Sequence, residues 1–305
     1  MPATAGALLV PHLSHSTLGC HSSCPKSFYL KKVAKLPQVP SMAAVGGKAA
    51  HSLIEFWDLE GGPSWSIEDW EDEASAVLDA EVSRTETESG IPMDEWRVSG
   101  RATKARPNKE DIEWWRAELP KMGQMYAEWR EKTAWEIWIT PDGELAVELE
   151  IKVPLPDVEV PFLGYIDRVF VEPDTGALVV WDAKFGSQSP EDLVQLSRYR
   201  MGLELRYGVQ AQYGAIYKGR TGDLIPIFKD GKTLMPLSHL SSSIVAGDIE
   251  AQWRLIQTGA YPASPGRHCS WCDVRNSCTH AKGRDAWKHD PSHPGYKPSA
   301  LTLAA

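Results

Sequence analysis

The chain has 305 residues, of which 42% are hydrophobic and 24% charged, an ordinary globular composition that excludes disordered, collagen-like and fibrous proteins. Its formal net charge of −9 gives no overall attraction to DNA or to an anionic membrane, so nucleic-acid binding would require a local basic groove, a bound metal, or both. No apolar run approaches the ~18 residues that span a bilayer, and the N-terminus lacks a secretory pattern, so we expect a cytoplasmic protein without a membrane segment.

The first 131 residues are predicted to be mainly helical. One helix is predicted to follow Pro25, and a second to run over 47–59, where apolar residues recur at helical spacing. Residues 66–131 are acidic, rich in tryptophan and helical in pattern apart from a polar stretch over 83–109, which predicts a helical insertion over the core. The tryptophans here favour core packing, with a base-stacking platform as the alternative.

From residue 134 the apolar pattern changes to a period of two, which predicts strands. Four consecutive strands are predicted as an antiparallel meander, over 134–140, 145–153, 161–171 and 177–185. The elements predicted after them are a helix to about Tyr207, a fifth strand over 212–219, a candidate sixth over 224–228 and a last helix over 237–258. Strands interrupted by a helix and then resumed predict an α/β fold with a central mixed sheet flanked by helices.

Two neighbouring predicted strands carry acidic residues. The strand GYIDRVF is predicted to place Tyr165, Asp167 and Val169 on one face, with the residues between them on the other, and VVWDAKFG places Asp182 and Lys184 together. An exposed Asp–Lys pair would need no explanation, but the apolar run before it indicates a buried strand, where an uncompensated charge is costly. Carboxylates suit Mg²⁺ or Mn²⁺, which would activate water for phosphodiester hydrolysis.

Lys184 would orient or deprotonate that water, or stabilise the phosphate in the transition state, and the sequence does not separate these roles. The next helix carries Gln195 and Tyr199 one turn apart, with Arg198 beside them. Such side chains can hold a base or a phosphate near a metal, although this helix face is commonplace. Local positive charge could also come from neighbouring basic residues that are equally compatible with an ordinary surface: Arg200, Arg206, Lys218 and Arg220.

Three of the five cysteines form a C-x2-C-x5-C cluster at Cys269, Cys272 and Cys278. In a chain without an export signal, this spacing indicates a metal site rather than disulfides. Cys24 is the preferred fourth ligand because it stands at a predicted helix start, and the weaker candidates are Cys20, His268 and His280. Four thiolates fit zinc or an iron–sulfur cluster, and on the residues alone zinc is preferred.

Six motifs share an order and spacing with one nuclease family: CPKSFY, GKAAHSLIEF, GYIDRV, WDAKFG, QLSRY and the cysteine cluster. Over residues 24–278 the chain resembles the RecB-like branch of the PD-(D/E)XK nuclease superfamily, specifically its iron–sulfur members, which include AddB-type nuclease domains and CRISPR-associated exonucleases. The second acidic residue is Asp182 where the superfamily formula also allows Glu. No P-loop motif of a helicase motor occurs in the sequence.

The resemblance implies a restriction-endonuclease-like core and a metal-dependent DNA exonuclease that acts on single strands or DNA ends. It implies that Mg²⁺ or Mn²⁺ is bound by His51, Asp167, Asp182 and the backbone carbonyl of Ala183, and that Lys184 is the catalytic lysine. Gln195 and Tyr199 match the family's Q-x-x-x-Y motif and, with Arg198, are the expected substrate-binding residues. The alternative is a catalytically inactive cluster protein that binds DNA ends or a partner.

The resemblance also implies a [4Fe–4S] cluster that joins the N- and C-terminal segments, which reverses the preference for zinc; its ligands would be Cys24, Cys269, Cys272 and Cys278. The expected organisation is a single nuclease domain over 1–305, with a cluster-binding subdomain (12–46 and 259–282), a catalytic core (47–258) and a poorly packed tail (283–305). The expected partners are DNA and a helicase or recombination protein, in recombination, repair or viral replication.

Overall fold

The computed structural model describes residues 9–100, 102–104, 109–187, 193–226 and 231–296. The helices are α1 (His15–Ser23), α2 (Pro25–Phe28, continued by a π-helical turn over Tyr29–Val33), α3 (Met42–Leu59), α4 (Ile67–Ser89), α5 (Ile112–Thr133), α6 (Leu193–Tyr207), α7 (Ser242–Gln257) and α8 (Ala286–His289). The strands are β1 (Glu136–Ile137), β2 (Val147–Leu155), β3 (Val158–Val171), β4 (Leu178–Lys184), β5 (Tyr213–Lys218), β6 (Asp223–Leu224) and β7 (Met235–Pro236). None of the helices in these ranges is both long and apolar enough to cross a bilayer.

Seven strands of the described chain form one mixed sheet in the order β1-β3-β4-β5-β6, with β2 paired to β3 and β7 paired to β5. The parallel pair is β4–β5, and α6 connects its strands, as expected for a parallel crossover. The predicted α/β class with a mixed sheet is therefore what the structure shows.

The predicted meander is wrong at its start. The first strand pairs with the third, at Glu136↔Val171, and meets the second only at its end, through the isolated antiparallel bridge Ile139↔Leu145. The reason is the length of β3, whose 14 residues pair with β1 at one end and with β2 along the rest of the same edge. The candidate sixth strand is reduced to β6, and residues 227 and 228 of that prediction lie outside the described residues.

The sheet separates two hydrophobic clusters. One contains residues of α1, α6 and α7, such as Leu18, Leu196 and Trp253. The other lies against α3, α4 and α5 and is rich in aromatic rings, including Trp115 and Trp129. These two tryptophans are at most 5% exposed, so they pack the core and do not form an open stacking platform. A Cβ on Gly46 would lie 2.0 Å from the Trp115 ring, so the helix contact depends on this glycine.

The predicted helical insertion consists of α4 and α5. The first of them begins with a capping box, in which the Ser66 hydroxyl accepts from the Asp69 amide and the Asp69 carboxylate accepts from the Ser66 amide. It ends at Gly90, whose φ of 65° closes the helix in the left-handed conformation. The helix therefore extends into the polar stretch that was predicted to interrupt it, because a helix with one buried stripe tolerates polar residues elsewhere.

The structure differs from the predicted helices at three other places. The sequence did not predict α1, which is capped by the Ser14 hydroxyl accepting from the Thr17 amide. The second predicted helix begins at Met42 rather than at residue 47. The last long helix begins at Ser242 rather than at 237, because Ser241 provides its cap.

The N- and C-terminal segments pack against each other. The Lys26 amide donates to the Pro262 carbonyl, and the Lys26 ammonium lies 2.6 Å from the fully buried Asp290 carboxylate. Asp290 also accepts from the amides of Thr279 and Ser292. Within the expected tail, Ala286 and Asp290 are buried, the latter with the partners that a buried carboxylate needs, whereas most other residues of 283–296 are exposed. Residues 297–305 of that tail lie outside the described residues.

Candidate metal centre

Strands β3 and β4 separate where their acidic residues lie. Their pairing runs from Val171↔Leu178 to Arg168↔Trp181. Beyond that point, Asp167 Oδ2 accepts a 2.6 Å hydrogen bond from the Ala183 amide. Because the N–H and C=O of one strand residue point to the same side, the Ala183 carbonyl also faces this gap. The gap therefore combines a carboxylate and a carbonyl, both suitable ligands for a hard cation.

The side-chain alternation predicted for β3 fails around Asp167. Ile166 and Val169 were expected on opposite faces, but both pack into the same hydrophobic cluster. Between them lie Asp167 and the fully buried Arg168. On the neighbouring strand, Glu148 lies opposite Asp167 and has a φ of 44°, a conformation uncommon outside glycine. This local distortion accompanies the break in alternation and brings two carboxylates together.

His51 of α3 completes a compact group with these two carboxylates. Its Nδ1 atom lies 3.4 Å from Asp167 Oδ2 and 3.5 Å from Glu148 Oε1. One ligand atom from each of the three residues lies within 4.8 Å of the others, which is close enough for a single ion to contact all three. Sequence analysis missed Glu148, because in AVELEIKV it alternates with apolar residues like an ordinary solvent-facing glutamate.

Asp182 and Lys184 share a face of β4, and a polar chain runs from them to α6. Lys184 Nζ lies 2.7 Å from Asp182 Oδ2 and donates to Gln195 Oε1 at 2.9 Å. Gln195 Nε2 in turn donates to the Tyr199 hydroxyl at 2.9 Å. A Cβ on Gly164 would lie 3.0 Å from the Tyr199 ring, so this glycine permits the close approach of α6 to β3.

The carboxylates act on one another electrostatically. Burial lowers the pKa of His51, but the charges of Asp167, Glu148 and Asp182 outweigh it and raise the pKa to about 9. Burial raises the pKa of Asp167 to about 7, aided by the charges of Asp182 and Glu148 and opposed by that of His51. Asp182 is not part of the compact group of three, but its negative charge raises the pKa of both His51 and Asp167. The site is thus a region of excess negative charge that a cation would stabilise.

Arg198 lies on the same helix as Gln195 and Tyr199 but contacts the N-terminal helix. It is 7% exposed, and its Nη1 atom lies 3.1 Å from His15 Nδ1. Its substrate-binding role stays a prediction.

Comparison with known proteins identifies the family. The family model of the PD-(D/E)XK nuclease superfamily matches residues 12–279. The chain belongs to this superfamily. It is also similar to the Gene 69 protein of Mycobacterium phage D29, with 28% identity over 296 residues, and to the Gene 69 protein of Mycobacterium phage L5, with 26% identity over 310 residues. Each alignment covers 88% of this chain and 97% of the relative.

Membership in this superfamily suggests a nuclease, a hydrolase that acts on phosphodiester bonds. Such nucleases usually use Mg²⁺ or Mn²⁺. The acidic group around His51 fits that chemistry, because its oxygen donors are hard ligands and its negative charges exceed the positive ones.

The cysteine region lies at the contact between the N- and C-terminal segments. Cys24 Sγ accepts from the Ser264 amide at 3.5 Å, and Cys269 Sγ accepts from the Gly266 amide at 3.4 Å. Burial raises the pKa of the Cys278 thiol, and the charge of Cys24 adds to the shift. Cys272 Sγ lies 3.8 Å from the Ser27 hydroxyl. Cys24, Cys278 and Cys272 therefore all lie near the start of α2.

The cysteine thiolates are suitable ligands for zinc or an iron–sulfur cluster. Their sulfur atoms, however, do not form a compact group. No three cysteine sulfurs of the described chain lie within 4.8 Å of one another.

Proposed function

We propose that the protein is a metal-dependent DNA exonuclease that hydrolyses phosphodiester bonds of single-stranded DNA or of DNA ends. The observation that carries this proposal is the group of carboxylates around His51 beside Lys184. Burying several like charges is costly unless a cation or a proton compensates them. A divalent ion at this point would stabilise the fold and serve the chemistry at once.

The proposed ligands are His51, Asp167, Asp182 and the Ala183 carbonyl, with Glu148 as an additional ligand that the structure suggests. When bound, the ion would supply an activated water and stabilise negative charge on the phosphate.

Lys184 is the proposed catalytic residue. Its ammonium is held between the Asp182 carboxylate and the Gln195 amide oxygen, which leaves it few alternative positions. Burial and the nearby carboxylates raise the pKa of Tyr199, so its hydroxyl stays protonated. That hydroxyl accepts from Gln195, which fixes the amide so that its oxygen faces the lysine. Gln195 and Tyr199 thus position Lys184 toward the attacking water or the phosphate.

Degradation of labelled DNA with Mn²⁺ tests the activity. Lys184→Ala should slow cleavage about 10²- to 10⁴-fold, the range for loss of a group that transfers a proton or stabilises charge. The matched control is Lys218→Ala, which removes the lysine paired with Lys184 in the register of the next strand and should cleave normally. Undiminished cleavage by Lys184→Ala would exclude the lysine from the mechanism, and rapid cutting of circular single strands would show an endonuclease.

We also propose that Cys24, Cys269, Cys272 and Cys278 bind a [4Fe–4S] cluster that joins the terminal segments. Protein purified without oxygen should be brown, with about four irons per chain. A colourless protein with one bound zinc would contradict the cluster and leave the nuclease proposal intact. The proposed setting is recombination, repair or viral replication, with a helicase or recombination partner. The two phage relatives support only the viral origin of this setting.

A further inference from the structure

A groove begins beside α3 and is lined by basic side chains. Its volume is about 600 Å³, and its walls include the 35–41 segment, the first turns of α3 and the end of α4. Its cations are Lys35, Lys48 and Arg97. Of its acids, Asp273 is paired with Lys31 at 2.5 Å, and Glu88 lies at the exposed end of α4. Lys48 is likewise paired, with Glu81 at 3.2 Å, which leaves Lys35 and Arg97 as the cations of this groove without a carboxylate partner among the described residues.

The groove adjoins the cysteine region through Arg97. The Arg97 guanidinium donates to the Val39 carbonyl at 3.2 Å and also to the Trp271 carbonyl. Trp271 lines a second depression of about 490 Å³, together with Arg267 and Arg275. Residues 271–273 thus form the boundary between the two depressions.

At its other end the groove is lined by Lys48, about one helical turn from His51 of the metal centre. Lys48 lies three residues before His51 on α3, so their side chains occupy successive turns of one helix face. The His51 side chain is 30% exposed and that of Glu148 25%, which leaves the group open to a ligand.

Trp271 has the features of a stacking platform. It is 61% exposed, and both Arg267 and Arg275 are exposed beside it. Single-strand binding sites combine exposed aromatic rings with cations, which is the arrangement around Trp271. Trp287, another exposed tryptophan of this region, lies outside both depressions, and the Lys288 ammonium lies 5.3 Å from the centre of its ring.

We propose that the two depressions form one track for single-stranded DNA, which runs from the metal centre past Lys48, Lys35 and Arg97 to a base stacked on Trp271. This inference rests on the proposed nuclease function and adds a substrate-binding site to it. The cysteine region then holds the strand at a distance from the cleaved bond, in addition to joining the terminal segments.

The test measures binding of fluorescein-labelled oligothymidine by anisotropy, with the full chain carrying Lys184→Ala so that cleavage is slow during the measurement. The strand is longer than the roughly 16 nucleotides of a large single-strand site. Trp271→Ala should weaken binding about tenfold, the effect of losing one stacked base, and Trp271→Phe should recover most of it. Trp287→Ala is the matched control and should bind normally.

Two further measurements distinguish the loss of one contact in the proposed track from a general loss of DNA affinity. Lys35→Ala should lower the salt dependence of binding by about 0.7 in logarithmic slope, the share of one phosphate contact, whereas Lys121→Ala on α5 should not. With Lys184 restored, Trp271→Ala should raise KM for long strands and leave the cleavage of a trinucleotide unchanged.

The proposed track would be overturned if Trp271→Ala bound single strands as tightly as Trp287→Ala does. It would also be overturned if Trp271→Ala lost the same affinity for single strands and for blunt duplexes. Either result would leave the nuclease proposal intact. A chain that neither binds nor cleaves DNA would instead contradict the nuclease function itself.

Discussion

Asp167 and Arg168 are neighbours on β3, but their side chains belong to opposite kinds of charge cluster. Arg168 is fully buried, and its Nε atom donates to Asp58 Oδ2 at 2.6 Å. The same carboxylate accepts from the Tyr126 hydroxyl and lies 3.4 Å from Arg130. On the Arg168 side, the Asp58 carboxylate is therefore compensated by two guanidinium groups, and Arg168 Nη1 also lies 3.8 Å from Glu148 Oε1 of the metal group. On the Asp167 side, the carboxylates outnumber their cationic partners.

This difference separates a structural charge cluster from a functional one. A buried pair with complete partners resists disruption, because removing one member leaves the other charge uncompensated. A cluster with excess negative charge is less stable alone than with a cation bound, since the repulsion remains in the metal-free state. Substitutions that remove one carboxylate should therefore have opposite consequences on the two sides of β3.

The largest expected effect is the loss of cleavage in Asp167→Asn. The amide oxygen can still accept from the Ala183 amide, so the local structure is retained while one negative charge is lost. We expect cleavage to fall about 10³-fold, at the upper end for loss of an electrostatic contact in a transition state. The metal-free variant should unfold at the same or a higher urea concentration than the parent. A large loss of stability would show that Asp167 is a structural residue like Asp58.

The second effect is on stability. Asp58→Asn removes the carboxylate that compensates Arg168 and Arg130, so we expect the free energy of unfolding to fall by about 3 kcal/mol. Folded Asp58→Asn should lose far less Mn²⁺ affinity than Asp167→Asn, because Asp58 is outside the metal group and is connected to it only through the 3.8 Å contact between Arg168 and Glu148. Urea unfolding and calorimetric Mn²⁺ titration measure the two quantities, and unchanged stability would refute the structural role.

A smaller effect is the pH dependence of metal binding. In the metal-free protein, the carboxylates raise the pKa of His51 to about 9, so the ion must displace a proton at neutral pH. The apparent Mn²⁺ affinity should therefore decrease as pH falls from 9 to 7, and decrease further below about 7, where Asp167 also takes up a proton. Calorimetry in two buffers of different ionisation enthalpy should show release of about one proton per ion near pH 8. Affinity that does not change with pH would contradict His51 as a ligand.

The sequence predicted much of the site and missed one member for a physical reason. Strand periodicity and the family resemblance identified four residues that lie in or beside the charged group: His51, Asp167, Asp182 and Lys184. Glu148 depends on strand register, which the sequence does not show. The pairing at the hairpin turn, if continued without interruption, would place Glu148 opposite Tyr165. An irregularity between Val153 and Leu155 shifts the register by two residues, so that Glu148 lies opposite Asp167.

The fold shows the same division between local pattern and long-range pairing. The helices α3 to α7 and the long strands follow from apolar periodicity, which is a local property. The pairing of β1 with β3 and the packing of Asp290 against Lys26 join residues that are distant in sequence. Such contacts are set by tertiary packing, and a single sequence carries little information on them.

The most direct test of the metal centre is an anomalous difference map from crystals soaked in MnCl₂ and measured at the manganese edge. We predict a strong peak about 2.1 Å from the Asp167 carboxylate, the distance typical of a small hard cation, with His51 and Asp182 also in its coordination sphere. The same crystals of Asp167→Asn should show a weaker peak or none. A strong peak elsewhere in wild-type crystals, with nothing between these residues, would contradict the account.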